Sequence, residues 1–367
     1  MMPSFARFGN DLYTGRRSFD IVGHRRRWFT AAAMLVILSA LVLGVRGLNL
    51  GIEFTGGSQF TISGTATAEE NLAHDVLDDV GTDHVARVTI VGDDTVQVQT
   101  EQLSDLETTD VAAELADAYG VPATDVTSSF VGPFWGQDVT TKALQSLVIF
   151  LVLVSAVMVL YFRRWTMAVA ALVALLHDVV LTVGIYAAIG FEVTPATVIG
   201  FLTILGYSLY DTVVVFDKVR ENTTGLTEQT RYSYAEGANL AVNQTLVRSI
   251  NTSVVGVLPV AAILFIGAFL LGAGTLRDIS LALFIGMIAS TASSIFIATP
   301  LHVLLESRRP AVTEHTEKVQ ERREAVLAAA ESGDVAGAAE PVGTGGLIAG
   351  GHRGQAAQPR RKRRSRG

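Results

Sequence analysis

The 367-residue sequence contains no cysteine and has few charged residues. Without cysteine the chain can form no disulfide, no thiol nucleophile and no thiolate metal site. Asp, Glu, Lys and Arg make up 17% of the residues and hydrophobic types 49%, with a mean hydropathy of +0.40. Soluble domains carry about 25% charged residues. The composition therefore indicates a membrane protein.

The sequence also has no phosphate-binding loop of the G-x-x-x-x-G-K type. Such a loop would be needed for the common mode of ATP binding, so its absence argues against ATP as the chain's own energy source. No nucleophile, base or metal-ligand spacing stands out, and we expect no catalytic site and no bound cofactor.

Six apolar runs are long enough to cross a membrane. About 30 Å of hydrocarbon requires roughly 20 residues at 1.5 Å per residue. The sequence thus predicts a polytopic α-helical membrane protein with six transmembrane helices, of which the first is an uncleaved anchor. The runs are Trp28–Val45, Leu144–Phe162, Trp165–Ile189, Thr194–Phe216, Ile250–Leu271 and Ile279–Leu305.

Basic residues are concentrated on one side of these spans. Under the positive-inside rule this side is cytoplasmic, which predicts cytoplasmic N- and C-termini. The segment between the first two spans, about Leu48 to Thr141, is acidic and would lie outside. The basic residues that set the orientation are Arg16, Arg17, Arg25, Arg26, Arg27, Arg163, Arg164, Lys218, Arg220, Arg231, Arg308 and Arg309.

The outer segment alternates strand and helix signals. Strands are predicted at Ser58–Ser63, His84–Val91, Thr95–Thr100 and Asp125–Val131, and helices at Glu69–Val80 and Ser104–Tyr119. The order βαββαβ favours a small α+β domain of ferredoxin-like type. This fold hosts unrelated functions and names none.

Ionisable residues inside predicted spans are the first functional candidates, because an acid at a helix centre costs about 2.5 to 3.5 kcal/mol on insertion scales. Asp211 lies in the fourth span with Tyr207 and Ser208 on the same face. Asp178 lies near the middle of the third span beside His177. For each acid the alternative is a structural buried hydrogen bond.

Arg248 is predicted at the cytoplasmic approach to the fifth span, on a polar stripe with Asn251. It could snorkel to the interface. It could also pair with Asp211 as a proton switch, because a nearby guanidinium favours the charged carboxylate and desolvation disfavours it. Asp178, His177, Tyr207, Ser208 and Asn251 would then be secondary relay or packing residues.

Several motifs in order resemble the SecF subunits of the SecD/SecF family, which is similar to half of an RND-type transporter. The segment Gly206–Asn222 reads GYSLYDTVVVFDKVREN, and Leu50–Gly57 reads LGIEFTGG. Val131–Pro133, His177-Asp178 and Gln244–Ser249 add further matches. The resemblance covers about residues 20 to 305.

The resemblance implies an accessory subunit of the Sec protein translocase in the bacterial cytoplasmic membrane. Its implied partners are a separate SecD chain, the SecYEG channel, SecA indirectly, unfolded preprotein and membrane lipids, with the proton gradient as energy source. Asp211 and Arg248 match the residues tied to proton transport, and Gly56 and Gly57 match a structural glycine pair. The alternatives are half of an RND-type small-molecule exporter and a scaffold that conducts no protons.

The predicted organisation has five parts. A cytoplasmic N-terminus covers residues 1–27, the first span 28–47, the outer domain 48–141, the remaining five spans 142–305 and a disordered cytoplasmic tail 306–367. The tail ends in the polybasic run Arg360–Arg366. That run is expected to be solubilising; the alternative is binding of anionic lipid or RNA, and no other nucleic-acid contact is expected.

Overall fold

A computed structural model describes residues 5–79, 87–91, 94–270 and 274–331. The chain divides into two compact units. The helical unit comprises Met1–Val42, Val154–Ile185 and Thr203–Gly367, and the α+β unit comprises Leu43–Leu153 and Tyr186–Leu202.

The described α-helices comprise the apolar spans and further helices outside them. They are α1 (Phe5–Tyr13), α2 (Arg25–Arg46), α3 (Ile52–Thr55), α4 (Glu70–Asp79), α5 (Asp105–Tyr119), α6 (Pro133–Phe162), α7 (Trp165–Ile189), α8 (Pro195–Thr223), α9 (Tyr234–Ala262), α10 (Gly274–Ser293), α11 (Thr299–Glu306) and α12 (Pro310–Glu331). Two π-helical segments, Ile263–Leu270 and Ser294–Ala298, follow α9 and α10.

Among the described residues six helical stretches are long and apolar enough to span a membrane, as predicted. They are Arg25–Arg46, Phe134–Phe162, Trp165–Ile189, Pro195–Thr223, Tyr234–Gly267 and Leu276–Glu306.

Two spans begin well before their apolar runs. α6 begins at Pro133, so the predicted boundary between residues 141 and 142 falls inside a helix. Pro is favoured in a first helical turn, and the polar residues after it contain no further proline to stop the helix. α9 begins at Tyr234 because Ser233 and Glu236 form a capping box there.

The α+β unit contains the predicted ferredoxin-like domain. Its strands are β2 (Gly57–Ser63), β3 (Arg87–Val91), β4 (Thr95–Thr100) and β5 (Val126–Val131), in the antiparallel order β3-β4-β2-β5. Alternate residues of β2 and β4, among them Phe60 and Val98, are buried with residues of α4 and α5. A capping box of Ser104 with Glu107 starts α5, where the helix was predicted, and His84, the predicted start of one strand, lies outside the described residues.

A two-residue parallel pair was not predicted. β1 (Asn49–Leu50) pairs with β6 (Glu192–Val193), which joins the chain after the first span to the chain before the fourth. Strands this short, from segments 143 residues apart, leave no local periodicity to read.

The predicted disordered tail is wrong for Pro310–Glu331, which forms α12. This helix is bonded to the connection between α8 and α9 and to the first turn of α9. His315 Nε2 donates to the carbonyl oxygen of Gln229 at 2.7 Å, and Arg323 pairs with Glu236 at 2.9 Å. Composition indicated disorder, but tertiary contacts of this kind stabilise a helix that is polar on most sides. Residues 332–367 lie outside the described residues.

Candidate functional site

Asp211 of α8 is buried in the helical unit, with 5% of its surface exposed. Two hydroxyls from other spans contact its carboxylate. Ser249 Oγ of α9 donates to Oδ1 at 2.7 Å, and Ser294 Oγ of the sixth span donates to Oδ2. Hydrogen bonds to a buried carboxylate offset part of the free-energy cost of removing it from water.

Asp178 of α7 is fully buried and, like Asp211, accepts hydrogen bonds from hydroxyls of neighbouring spans. Its Oδ2 accepts hydrogen bonds from Ser208 Oγ at 2.8 Å and from Ser293 Oγ at 2.7 Å. The ring Nδ1 of His177 lies 3.2 Å from Oδ1. His177 Nε2 is buried and has no hydrogen-bond partner in the described part of the chain.

Adjacent serines of the sixth span serve the two carboxylates. Ser293 donates to Asp178 and Ser294 to Asp211. Consecutive residues of a helix point about 100° apart, so one helix can reach acids on two neighbouring helices. The change to π-helical geometry begins at Ser294, and such segments are frequent at functional sites.

A second set of hydroxyls lies beside the first. Ser253 Oγ lies 2.5 Å from Thr291 Oγ1 and donates to the carbonyl oxygen of Ser249 at 2.8 Å. The Tyr207 hydroxyl approaches Ser253 Oγ at 3.4 Å, which is long for a bond between hydroxyls. Ser290 Oγ is buried with no partner among the described residues. Polar side chains thus continue from Asp211 along α9 and the sixth span.

The structure does not bring Arg248 to Asp211. Arg248 is on the exposed side of α9, whereas its neighbour Ser249 is buried and faces the acid. Asn251 is exposed as well. Within the described residues neither Arg248 nor Asn251 makes an ion pair or a side-chain hydrogen bond. The proton switch of Asp211 with Arg248 stays a prediction.

Sequence reasoning missed the serines that hold the acids, namely Ser249, Ser293 and Ser294. A signal for two of them was present, because residues 290 to 294 read STASS and place four hydroxyls in five positions of an apolar span. Ser249 had no comparable signal, since a single serine is common in membrane helices.

The glycine pair lies in the α+β unit, where the chain turns from α3 into β2. Gly56 and Gly57 have φ of 75° and 115°, values that favour glycine. A Cβ on Gly57 would lie 2.2 Å from the carbonyl oxygen of Thr100, and one on Gly136 of α6 would lie 2.7 Å from that of Phe54. The pair therefore permits close backbone packing at the root of the domain.

A third buried acid lies at the end of the sixth span. Glu306 is 1% exposed and accepts a hydrogen bond from Thr166 Oγ1 at 2.7 Å. Its Oε1 pairs with Arg164 at 2.7 Å and with Arg309 at 2.6 Å. These bonds join the α6–α7 connection to the start of α12. No group of three or more His, Cys, Asp or Glu that could hold a metal occurs in the described ranges.

Fold and site together define a multi-pass helical membrane protein with a ferredoxin-like domain between its first two spans and buried acids in its third and fourth. The family described as protein export membrane protein SecD/SecF, C-terminal, matches residues 111–308, and the SecD/SecF GG motif matches residues 41–68. The chain belongs to the SecD/SecF family.

Relatives of known name agree with this assignment. The chain is 46% identical to protein translocase subunit SecF of Streptomyces coelicolor over 344 residues, which cover 91% of this chain and 89% of that one. It is 44% identical to the subunit of the same name from Mycobacterium tuberculosis, covering 86% and 73%. The predicted resemblance to SecF is confirmed.

A solved relative confirms the predicted architecture. The crystal structure of SecDF from Thermus thermophilus, described as translocon-associated, matches with a TM-score of 0.69 and 32% identity. The match covers 80% of this chain and 39% of that one.

Proposed function

We propose that this chain is a SecF-type translocase subunit that acts with a SecD-type partner and uses the proton-motive force to promote preprotein translocation. The observation that carries the proposal is the pair of carboxylates buried within spans and held by hydroxyls of neighbouring spans. Buried intramembrane acids of this kind are typical of proton relays. The subunit would need no cofactor and no catalytic site of its own, because the gradient supplies the energy.

The chemistry follows from the bonds at Asp211. As a carboxylate it accepts hydrogen bonds from Ser249 and Ser294; once protonated it becomes a donor, and a hydroxyl must rotate. Hydrogen bonds to charged groups contribute about 1.5–3 kcal/mol and neutral ones about 0.5–1.5 kcal/mol. One proton thus weakens each contact by about 1 kcal/mol. A charge crossing 100 mV releases about 2.3 kcal/mol, which is enough to offset that change.

Asp178 and His177 form a second protonatable pair in this proposal. Ser208 links it to α8, since Ser208 donates to Asp178 and lies one turn before Asp211. Tyr207, beside Ser208 in the chain, contributes the long contact to Ser253 on α9. Asp178 is thus hydrogen-bonded to a residue of α8, and Asp211 belongs to α8. A change of protonation at either acid can therefore reach the other through a displacement of α8.

The exposed side of α9 is the surface proposed to face SecD. It presents Arg248, Asn251 and Val255, the last 69% exposed. A guanidinium within a span requires an anionic or polar partner, and this face would receive one from the second subunit. Support comes from the SecDF relative of Thermus thermophilus. This chain covers 39% of that protein, so a further part of the SecDF protein lies beyond the match.

Photocrosslinking tests this face. A benzophenone amino acid at Val255 should crosslink to co-expressed SecD in membranes. The matched control is Leu160, which lies on α6 and is 75% exposed. Crosslinks from Leu160 and none from Val255 would place the partner elsewhere.

The proposed setting is the bacterial cytoplasmic membrane, with both termini cytoplasmic and the α+β domain outside. The further proposed partners are the SecYEG channel, SecA indirectly and the unfolded preprotein. Support comes from the distribution of Arg and Lys and from the names of the relatives.

The decisive experiment is Asp211→Asn, assayed for completion of preprotein translocation in vesicles that contain SecYEG and SecD. With a proton gradient the variant should lose the stimulation that the unaltered complex gives, and without a gradient the two should be equal. Asp217→Asn is the matched control, because Asp217 lies on the same helix but is exposed.

The scaffold alternative gives a different result in the same assay. If the subunit only stabilises the channel, Asp211→Asn retains full stimulation as long as the complex assembles. Co-purification of SecD with the variant therefore has to be measured alongside export.

A further inference from the structure

A groove in the α+β unit is lined by the N-terminal parts of α6 and α8 and by Phe54 of α3. Its volume is about 410 Å³. The lining is mostly apolar and carries one acidic and one basic side chain. The lining residues are Phe54, Trp135, Asp138, Val139, Lys142, Ala143, Ser146, Pro195, Val198, Ile199 and Leu202.

The groove extends from the headgroup layer into the hydrocarbon. The apolar helix Phe134–Phe162 has 29 residues and is about 43 Å long, against about 30 Å of hydrocarbon. The excess of about 13 Å corresponds to about nine residues. We place it at the N-terminal end, beside the α+β domain, because Gln137, Asp138 and Lys142 lie there and the continuous apolar run begins only at about Leu144. Trp135, exposed by 64%, is typical of a membrane-interface anchor.

Polar residues follow one another down the α6 wall at helical spacing. Asp138, Lys142 and Ser146 are each one turn apart, so they lie on one face with about 6 Å between neighbours. Asp138 is outermost and Ser146 deepest. Within the described residues neither Asp138 nor Lys142 makes an ion pair or a side-chain hydrogen bond.

The α8 wall is apolar throughout. Pro195, Val198, Ile199 and Leu202 follow the spacing i, i+3, i+4, i+7 that lines one face of a helix. This stripe begins at the interface and reaches about 10 Å deeper. An acyl chain parallel to the membrane normal fits such a wall, because its hydrogens need only apolar contact.

We propose that this groove binds one zwitterionic phospholipid of the leaflet on the side of the α+β domain. The depth order of the side chains matches the order of groups in phosphatidylethanolamine. The terminal ammonium meets Asp138, the phosphate meets Lys142, the glycerol ester meets Ser146, and an acyl chain lies along the apolar stripe of α8. A purely anionic headgroup would satisfy Lys142 but face the charge of Asp138, so charge complementarity favours the zwitterion.

Native mass spectrometry of the purified full-length chain, released from detergent with added palmitoyl-oleoyl phosphatidylethanolamine or phosphatidylglycerol, tests the proposal. We expect one tightly bound phosphatidylethanolamine and about ten-fold weaker phosphatidylglycerol, because one charge-assisted contact is lost. Asp138→Asn should weaken phosphatidylethanolamine about ten-fold and leave phosphatidylglycerol no weaker. Lys142→Gln should weaken both lipids.

A steric pair provides the control for the acyl site. Ala143→Phe fills the groove and should abolish the tight lipid, whereas Leu144→Phe, at a position 60% exposed and outside the lining, should not. Equal binding of the two lipids, or binding that survives Ala143→Phe in a folded variant, would overturn the proposal. Displacement of phosphatidylethanolamine from the groove by an apolar peptide at equal concentration would also overturn the proposal, because it would indicate that the groove binds an exported chain. None of these measurements depends on translocation activity.

Discussion

The neighbouring serines of the sixth span should couple to different acids. Ser294 bonds Asp211 and Ser293 bonds Asp178. Double-mutant cycles with Ser→Ala and Asp→Leu substitutions measure each coupling, since leucine has a similar volume and no hydrogen-bond acceptor. The crossed cycles, Ser294 with Asp178 and Ser293 with Asp211, are the internal controls.

The expected magnitude distinguishes a charged from a neutral contact. Neutral hydrogen bonds between membrane helices average about 0.6 kcal/mol in such cycles, with a maximum of about 1.7 kcal/mol. A hydroxyl bonded to a carboxylate contributes about 1.5–3 kcal/mol. We therefore expect about 2 kcal/mol for each matched pair at neutral pH. The crossed pairs share no direct hydrogen bond, so their coupling should be clearly smaller than that of the matched pairs.

The measurement is reversible unfolding of the purified chain in mixed micelles by added sodium dodecyl sulfate, followed by tryptophan fluorescence. Coupling of both serines to the same acid, or to neither, would refute the geometry described for the sixth span. Coupling near 0.6 kcal/mol in the matched pairs would contradict a charge-assisted contact.

Four further substitutions test packing and an ion-pair network at other places. Gly184→Ala would place a Cβ 2.8 Å from the Cα of Ser39, so overpacking should lower the free energy of unfolding by about 1–3 kcal/mol in thermal unfolding. Gly206→Ala is the control, because its Cβ would have nothing within 4 Å and the substitution should be neutral or stabilising. Gly57→Ala would place its Cβ against a backbone carbonyl oxygen and should increase proteolysis of the α+β domain while the spans stay protected. Glu306→Gln removes the charge shared by two arginines that solvent reaches, and should lower the unfolding free energy by about 1–3 kcal/mol.

The fold was largely predictable because its signals are local. A run of about 20 apolar residues such as Trp165–Ile189 has no other common interpretation. The alternation of Phe60 and Ile62 with polar neighbours predicts a half-buried strand in the same way. The sequence prediction starts α9 too late, although Ser233 and Glu236 form a capping box, because that prediction rests on the length of the apolar run. The helix Pro310–Glu331 was missed because its stability depends on contacts with residues about 90 positions away.

The candidate site was only partly predictable. The free-energy cost of burying an acid identifies Asp178 and Asp211 from the sequence, because an acid within an apolar run normally has a partner or a function there. Its partners depend on which face of each helix meets which neighbour, and that is a property of packing. Arg248 and Ser249 are consecutive, yet one is exposed and the other contacts Asp211. Charge complementarity with the carboxylate favours Arg248, whereas the packing within this chain places the Ser249 hydroxyl next to Asp211.

The sixth span is the element through which the two acids can influence each other. Because Ser293 and Ser294 are joined by one peptide bond, a rotation of the helix that releases Ser294 from Asp211 also turns Ser293 relative to Asp178. The π-helical segment that starts at Ser294 departs from the i to i−4 hydrogen-bond pattern at this point of the span. Under the proposed function, a proton that arrives at one acid therefore changes the hydrogen bonding of the other. In that proposal the two acids are one coupled site and not two independent relays.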